Sequence, residues 1–331
     1  MSRRTRLVLR VLVSVLALAV VTVVVGDQAL RAGTAVLAPV PVLLALLLGA
    51  LWRSLAATRW LLLSRALGAP LAWPGALAEY FRSELVNQVV PGGVVGDLER
   101  ARRHGSDVGL LPAARAVFLE RTVGQLVLVL ATLATVLARP ELLGVSAGVD
   151  GRTVMVLAVV LALVAVLAVV LWQPWRHRQE RGGEGSRLRG LLGPLLLAAL
   201  LSAGVLACFV ALFVLAARIT GVTGPDGTGQ ASLGLLVPAV LVVLLVSGIP
   251  LTVAGWGARE AGAALCFAAV GLASADGVAA AVGYGLLSLV SALPGLVPLL
   301  RARVGSRAGT DAATGPQVQV EADVVPQRER P

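Results

Sequence analysis

The chain has 331 residues, 57% of them hydrophobic and only 14% charged, whereas soluble domains run near 45–50% apolar and about 25% charged. Its net charge of +10 comes from 28 basic residues, all arginine, and its two cysteines, Cys208 and Cys266, both fall inside apolar runs. This balance excludes a soluble globular protein and a disulfide framework, and it assigns the positive charge to the cytoplasmic side of a membrane rather than to nucleic acid.

In chain order, Arg3-Arg4-Thr5-Arg6 precedes an apolar run over 7–25. No Ala-x-Ala cleavage pattern follows it, so it reads as a retained first helix and not a signal peptide. A second membrane helix is expected over 34–51. The region 66–111 fits no simple span, because it holds Pro70, Pro74, Glu79, Arg82, Glu84, Pro91, Gly92, Gly93 and Gly96. It reads as amphipathic or re-entrant, entering and leaving on one side. Further helices are expected over 116–138 and 153–172, then a polar linker over 173–190. Helices over 191–217, 232–249, 260–274 and 277–300 follow, and a disordered tail over 301–331 closes the chain. The expectation is an all-α, polytopic integral membrane domain over 1–300 with about eight transmembrane helices. Its halves are 1–172 and 191–300, and each holds one Pro/Gly-broken segment.

With the N-terminus inside, only Arg31, Arg139, Arg152 and Arg218 fall outside. Every other arginine falls on the cytoplasmic side, including Arg53, Arg59 and Arg65, which are read here as loop residues. Such asymmetry places both termini in the cytoplasm and the chain in a bacterial-type plasma membrane.

Three charged blocks interrupt the apolar pattern. The first runs Asn87-Gln88-Val89-Val90-Pro91-Gly92-Gly93-Val94-Val95-Gly96-Asp97-Leu98-Glu99-Arg100. Pro91, Gly92 and Gly93 free backbone amides at a break, and amides at a helix N-terminus together with Arg100 suit an anion. The bland reading is a polar surface loop with Asp97 capping the next helix. The second is Leu119-Glu120-Arg121-Thr122-Val123-Gly124-Gln125, where Arg121 and Gln125 share a helix face at the mouth of a long apolar run. It lines a cavity, or it is an interfacial pair snorkelling to head groups. The third is Pro250-Leu251-Thr252-Val253-Ala254-Gly255-Trp256-Gly257-Ala258-Arg259-Glu260. It is either a second broken segment or a tight cytoplasmic turn. The first and third share the spacing Pro, Gly five on, Arg nine on. Paired Pro/Gly breaks in two halves point to a transporter-like site. His104 and His177 lie in arginine-rich loops without a second ligand at metal spacing, so neither metal nor cofactor is expected.

Together these blocks resemble the membrane domain of the lysylphosphatidylglycerol synthase, or flippase-like, family, over about residues 10 to 300. The resemblance implies a polytopic domain that binds lipids and moves them between leaflets. Residues 301–331 leave no room for the aminoacyl-transferase domain that follows in the synthases, so aminoacyl transfer, and enzyme activity in general, is not expected. The expected function is translocation of an anionic or phosphate-bearing lipid in the cytoplasmic membrane. Arg100, Arg121 and Arg259 would hold the phosphate, with Asn87 and Gln125 beside them. Asp97, Glu120 and Glu260 would orient them, and Pro91, Gly96, Pro250, Gly255 and Gly257 would supply the breaks. The expected partner is a membrane phospholipid or lipid-linked substrate. The alternative is a non-catalytic membrane partner of a separate lipid-modifying or glycosyl-transferring enzyme. An enzyme acting on a lipid phosphate ranks last.

Overall fold

The computed structural model describes residues 27–90, 94–138, 146–147, 149–150, 184–227, 229–248 and 255–300. The helices expected over 7–25 and 153–172, most of the linker and the tail 301–331 lie outside the described residues.

A short helix α1 (Asp27–Gly33) and a 3-10 turn (Thr34–Leu37) lead into α2 (Pro39–Ala66), which starts with proline in its first turn, where the missing N–H costs nothing. Helices α3 (Trp73–Val89), α4 (Val95–Val108) and α5 (Leu110–Leu137) follow. Two antiparallel pairs, Ser146–Asp150 and Ala147–Val149, make a minimal hairpin. The second half comprises α6 (Glu184–Ile219), α7 (Leu233–Ser247), α8 (Ala258–Ala269) and α9 (Ser274–Ala292), which ends in a 3-10 turn (Leu293–Gly295).

Four segments are long and apolar enough to cross a membrane: Pro39–Ala66, Leu110–Leu137, Leu192–Ile219 and Ser274–Leu300. At 27 or 28 residues each is about 40 Å long, more than the ~30 Å hydrocarbon core. Leucines left exposed at helical spacing, Leu43, Leu47 and Leu51 on α2 and Leu192, Leu196 and Leu200 on α6, form stripes suited to lipid. The protein is an all-α polytopic membrane protein. α2, α6 and α9 pack against one another at its centre. One apolar core joins α6, α7, α8 and α9 through Leu212, Phe213, Leu236, Val240, Phe267 and Leu287. A second gathers Trp52, Trp60, Tyr80, Val117 and Cys208 around α2 and α3.

Three expectations are corrected. The helix placed at 34–51 runs on to Ala66 and carries Arg53 and Arg59 into the interior, 0% and 4% exposed. Their charge does not end the helix because partners on other helices receive it, as described below. The region 66–111 is broken as expected, into two helices, α3 and α4; α3 packs on α2 and α4 on α5. His104 is not in a loop but buried on α4, where its Nε2 meets the Ala69 carbonyl at 3.0 Å. α6 also begins at Glu184, inside the expected linker.

Candidate functional site

Glu120 is the centre of the site. It lies on α5, about three turns past the start of that helix, and it is fully buried. Its Oε1 accepts from an Arg59 Nη2 and from the Tyr80 hydroxyl at 2.8 Å. Its Oε2 accepts from Arg100 Nη2 at 3.0 Å. Four helices meet here: Arg59 comes from α2, Tyr80 from α3, Arg100 from α4 and Glu120 from α5. Ser202 of α6 adds a hydroxyl 2.7 Å from Arg59 Nη1. A buried carboxylate persists only when its acceptors are filled, and these donors fill them.

Space for Arg59 comes from Gly124 on α5, since a methyl built there would stand 2.9 Å from the Arg59 Nη1. Arg100 is sandwiched by aromatic faces, 4.5 Å above the Trp60 ring and 4.3 Å from the Tyr80 ring. Its Nε and Nη1 have no hydrogen-bond partner, so cation–π attraction replaces two hydrogen bonds there.

Asp97 ties the buried centre to its edge. Its Oδ1 lies 3.2 Å from Arg100 Nη2, and its carboxylate accepts from Arg121 Nη2 at 2.6 to 2.8 Å. Asn87 Nδ2 donates to Asp97 at 3.3 Å, while the Asn87 Oδ1 accepts from the Gly96 amide at 2.8 Å. Asn87 therefore bridges the break between α3 and α4 from its far side, and Asp97 does not cap α4. Gly96 packs against the Ser83 carbonyl with no room for a side chain.

Arg121 differs from the other members. Its side chain is 45% exposed, and besides Asp97 it faces Glu84 at 3.9 Å. It is the half-exposed guanidinium on an otherwise buried ion network. Gln125, one turn on, faces Gly248 at the end of α7.

The third block forms its own unit. Arg259 Nε and Nη2 both donate to Glu260 Oε1, at 3.0 and 2.7 Å, and the Gly257 amide donates to Glu260 Oε2 at 2.6 Å. Glu260 thus reaches back from the third position of α8 to the residue preceding it, half of a capping box. Gly255 and Gly257 have φ of +79° and +87°, a region that side chains rarely adopt. The Arg259 guanidinium lies 4.6 Å from the Trp256 ring and 5.6 Å from that of Tyr284, in space that Gly285 leaves free.

The structure therefore unites Asn87, Asp97, Arg100, Glu120 and Arg121 in one network and keeps Arg259 and Glu260 as a separate pair. Glu120 and Arg121 do not pair with each other. Pro91, Gly92, Gly93 and Pro250 lie outside the described residues. Sequence reasoning missed Arg59, Tyr80, Ser202 and Arg53. One signal was available: each α2 arginine adjoins a tryptophan, as Trp52-Arg53 and Arg59-Trp60.

A family model described as the lysylphosphatidylglycerol synthase TM region matches residues 7–295. No curated protein and no solved structure matches the chain.

Proposed function

Because the chain belongs to the lysylphosphatidylglycerol synthase TM-region family, a family of membrane domains that handle lipid, we propose that it moves an anionic or phosphate-bearing lipid between leaflets. The observation that carries this reading is Arg121: a half-exposed guanidinium clasped by Asp97, with Glu84 at 3.9 Å, above a fully buried ion network. A phosphate can replace one of those carboxylates without leaving a buried charge unpaired, because guanidinium accepts either oxyanion in the same forked geometry. The network below, Glu120 with Arg59, Arg100 and Tyr80, holds the Asp97 side of that clasp in place. The chain performs no covalent chemistry in this reading. The arginine distribution supports a cytoplasmic membrane location with both termini inside.

The test is leaflet exchange of labelled phosphatidylglycerol and phosphatidylcholine in vesicles carrying the purified chain, beside an Arg121→Ala variant. Exchange that falls at least about tenfold in the variant supports the proposal, the size expected for losing a charge-assisted hydrogen bond. Exchange unchanged by Arg121→Ala, or absent from folded wild type, overturns it. The absent outcome would direct attention to a separate lipid-modifying enzyme as partner.

A further inference from the structure

Arg53 takes no part in the Glu120 network, yet it is 0% exposed and sits midway along α2. The turns before it, from Val40 to Leu51, are apolar, so its head cannot reach water by snorkelling, which arginines do near helix ends. Its Nη1 donates to the Gly49 carbonyl at 3.0 Å and to the Ser291 hydroxyl at 3.3 Å, and Nη2 reaches the same hydroxyl at 3.4 Å. Its Nε has no hydrogen-bond partner. The guanidinium lies 4.2 Å from the Trp52 ring and 5.3 Å from that of Phe81. Among the described residues no carboxylate comes within 4.0 Å of it. Glu84, which faces Arg121, is the carboxylate whose charge it feels.

Every other buried guanidinium described above, Arg59, Arg100 and Arg259, has a carboxylate in direct contact. Rings and hydroxyls solvate a cation but do not neutralise it, and a buried charge without a counter-ion is the costly arrangement. We propose that Arg53, with Ser291, is an anion-binding site that takes a singly charged oxyanion: a phosphodiester, a phosphate monoanion or a carboxylate. Such a group supplies the missing charge and the acceptor that Nε lacks, in the two-pronged geometry that guanidinium favours. The seam around it is built from small residues. Gly49 lies so close to α9 that a methyl there would stand 2.6 Å from the Ser291 Cβ and 2.8 Å from Arg53 Nη1, and Gly295 backs onto the Phe81 carbonyl. The Phe81 ring and the contact between α2 and α9 close the site, so binding requires them to part. The lipid-borne form of the ligand rests on the translocation reading above; the anion site itself does not.

The experiment uses the full chain in phosphatidylcholine nanodiscs, titrated calorimetrically with dihexanoyl phosphatidylglycerol, inorganic phosphate, or dihexanoyl phosphatidylcholine as the uncharged control. Wild type binds one or both anionic probes, and Arg53→Gln weakens that binding by at least about tenfold. Arg53→Lys, which keeps the charge and loses the fork, falls between the two. Binding of the phosphatidylglycerol alone identifies a lipid head group, and binding of inorganic phosphate alone identifies a free anion. If Arg53→Gln fails to fold, Ser291→Ala, which leaves the cation in place, weakens the same probe by about threefold. Wild type that binds neither anion, or variants that bind as wild type does, overturns the proposal. Lipid exchange that fails while Arg53-dependent binding persists sinks the translocation reading and leaves this site standing.

Discussion

At the scale of single residues, burial and pairing decide what each charge does. Glu120 satisfies two guanidiniums and a phenol while fully buried. Truncating it leaves Arg59 without a counter-charge and Arg100 with Asp97 alone. Glu120→Ala should therefore cost about 3–5 kcal/mol, the range for breaking a buried pair from one side. Removing both partners is gentler, because no orphaned charge remains. The double variant Arg59→Met with Glu120→Leu, in which Arg100 keeps Asp97, should melt above Glu120→Ala in a detergent unfolding assay. A double variant no more stable than the single would mean that the ion network contributes net stability of its own. Arg121 stands apart, since its half-exposed side chain can change partners without desolvating a new charge.

At the scale of elements, the two broken segments are built differently. The α3–α4 break is bridged by a side chain, Asn87 to the Gly96 amide. The turn into α8 depends on backbone conformation, with Gly257 at φ +87° and its amide held by Glu260. Gly257→Ala should destabilise the chain by about 1–3 kcal/mol through strain at that residue, and should loosen Arg259 together with Glu260. Unfolding midpoints measure this, and an unchanged midpoint would mean that the turn relaxes to negative φ at no cost. Gly285→Ala acts on the same arginine from α9 by filling its seat, and a cost of about 1–3 kcal/mol from overpacking is expected there as well. α2 makes the complementary point. Its apolar N-terminal half reads as a complete span, yet the helix continues, because Glu120, Ser202 and Ser291 receive the arginines that would otherwise have ended it.

At the scale of the whole molecule, moving Arg53 and Arg59 from a loop into α2 removes them from the charge comparison across the membrane. The asymmetry survives, because only Arg31, Arg139, Arg152 and Arg218 were assigned outside among 28. Both termini are thus expected in the cytoplasm. A fluorescent protein fused to either end should fold and fluoresce, and alkaline phosphatase fused there should stay inactive. An active phosphatase at the C-terminus would reverse the orientation, and with it the side from which Arg121 meets lipid. The ion network joins helices α2, α3, α4, α5 and α6, so it couples the two halves. The Arg53–Ser291 contact couples them again through α9.

The sequence by itself determined the membrane class, the two broken segments and five members of the central network, Asn87, Asp97, Arg100, Glu120 and Arg121. These are local signals: hydropathy accumulates over a window, Pro and Gly act on their own backbone, and a charge in an apolar run is conspicuous where it stands. Only the tertiary structure decided which charges meet. Arg59 reaches Glu120 across 61 positions, Arg59 reaches Ser202 across 143, and Arg53 reaches Ser291 across 238. Arg53 and Arg59 look like loop guanidiniums in sequence, because what seats them is a partner on another helix, Ser291 for one and Glu120 for the other, and nothing local encodes that partner.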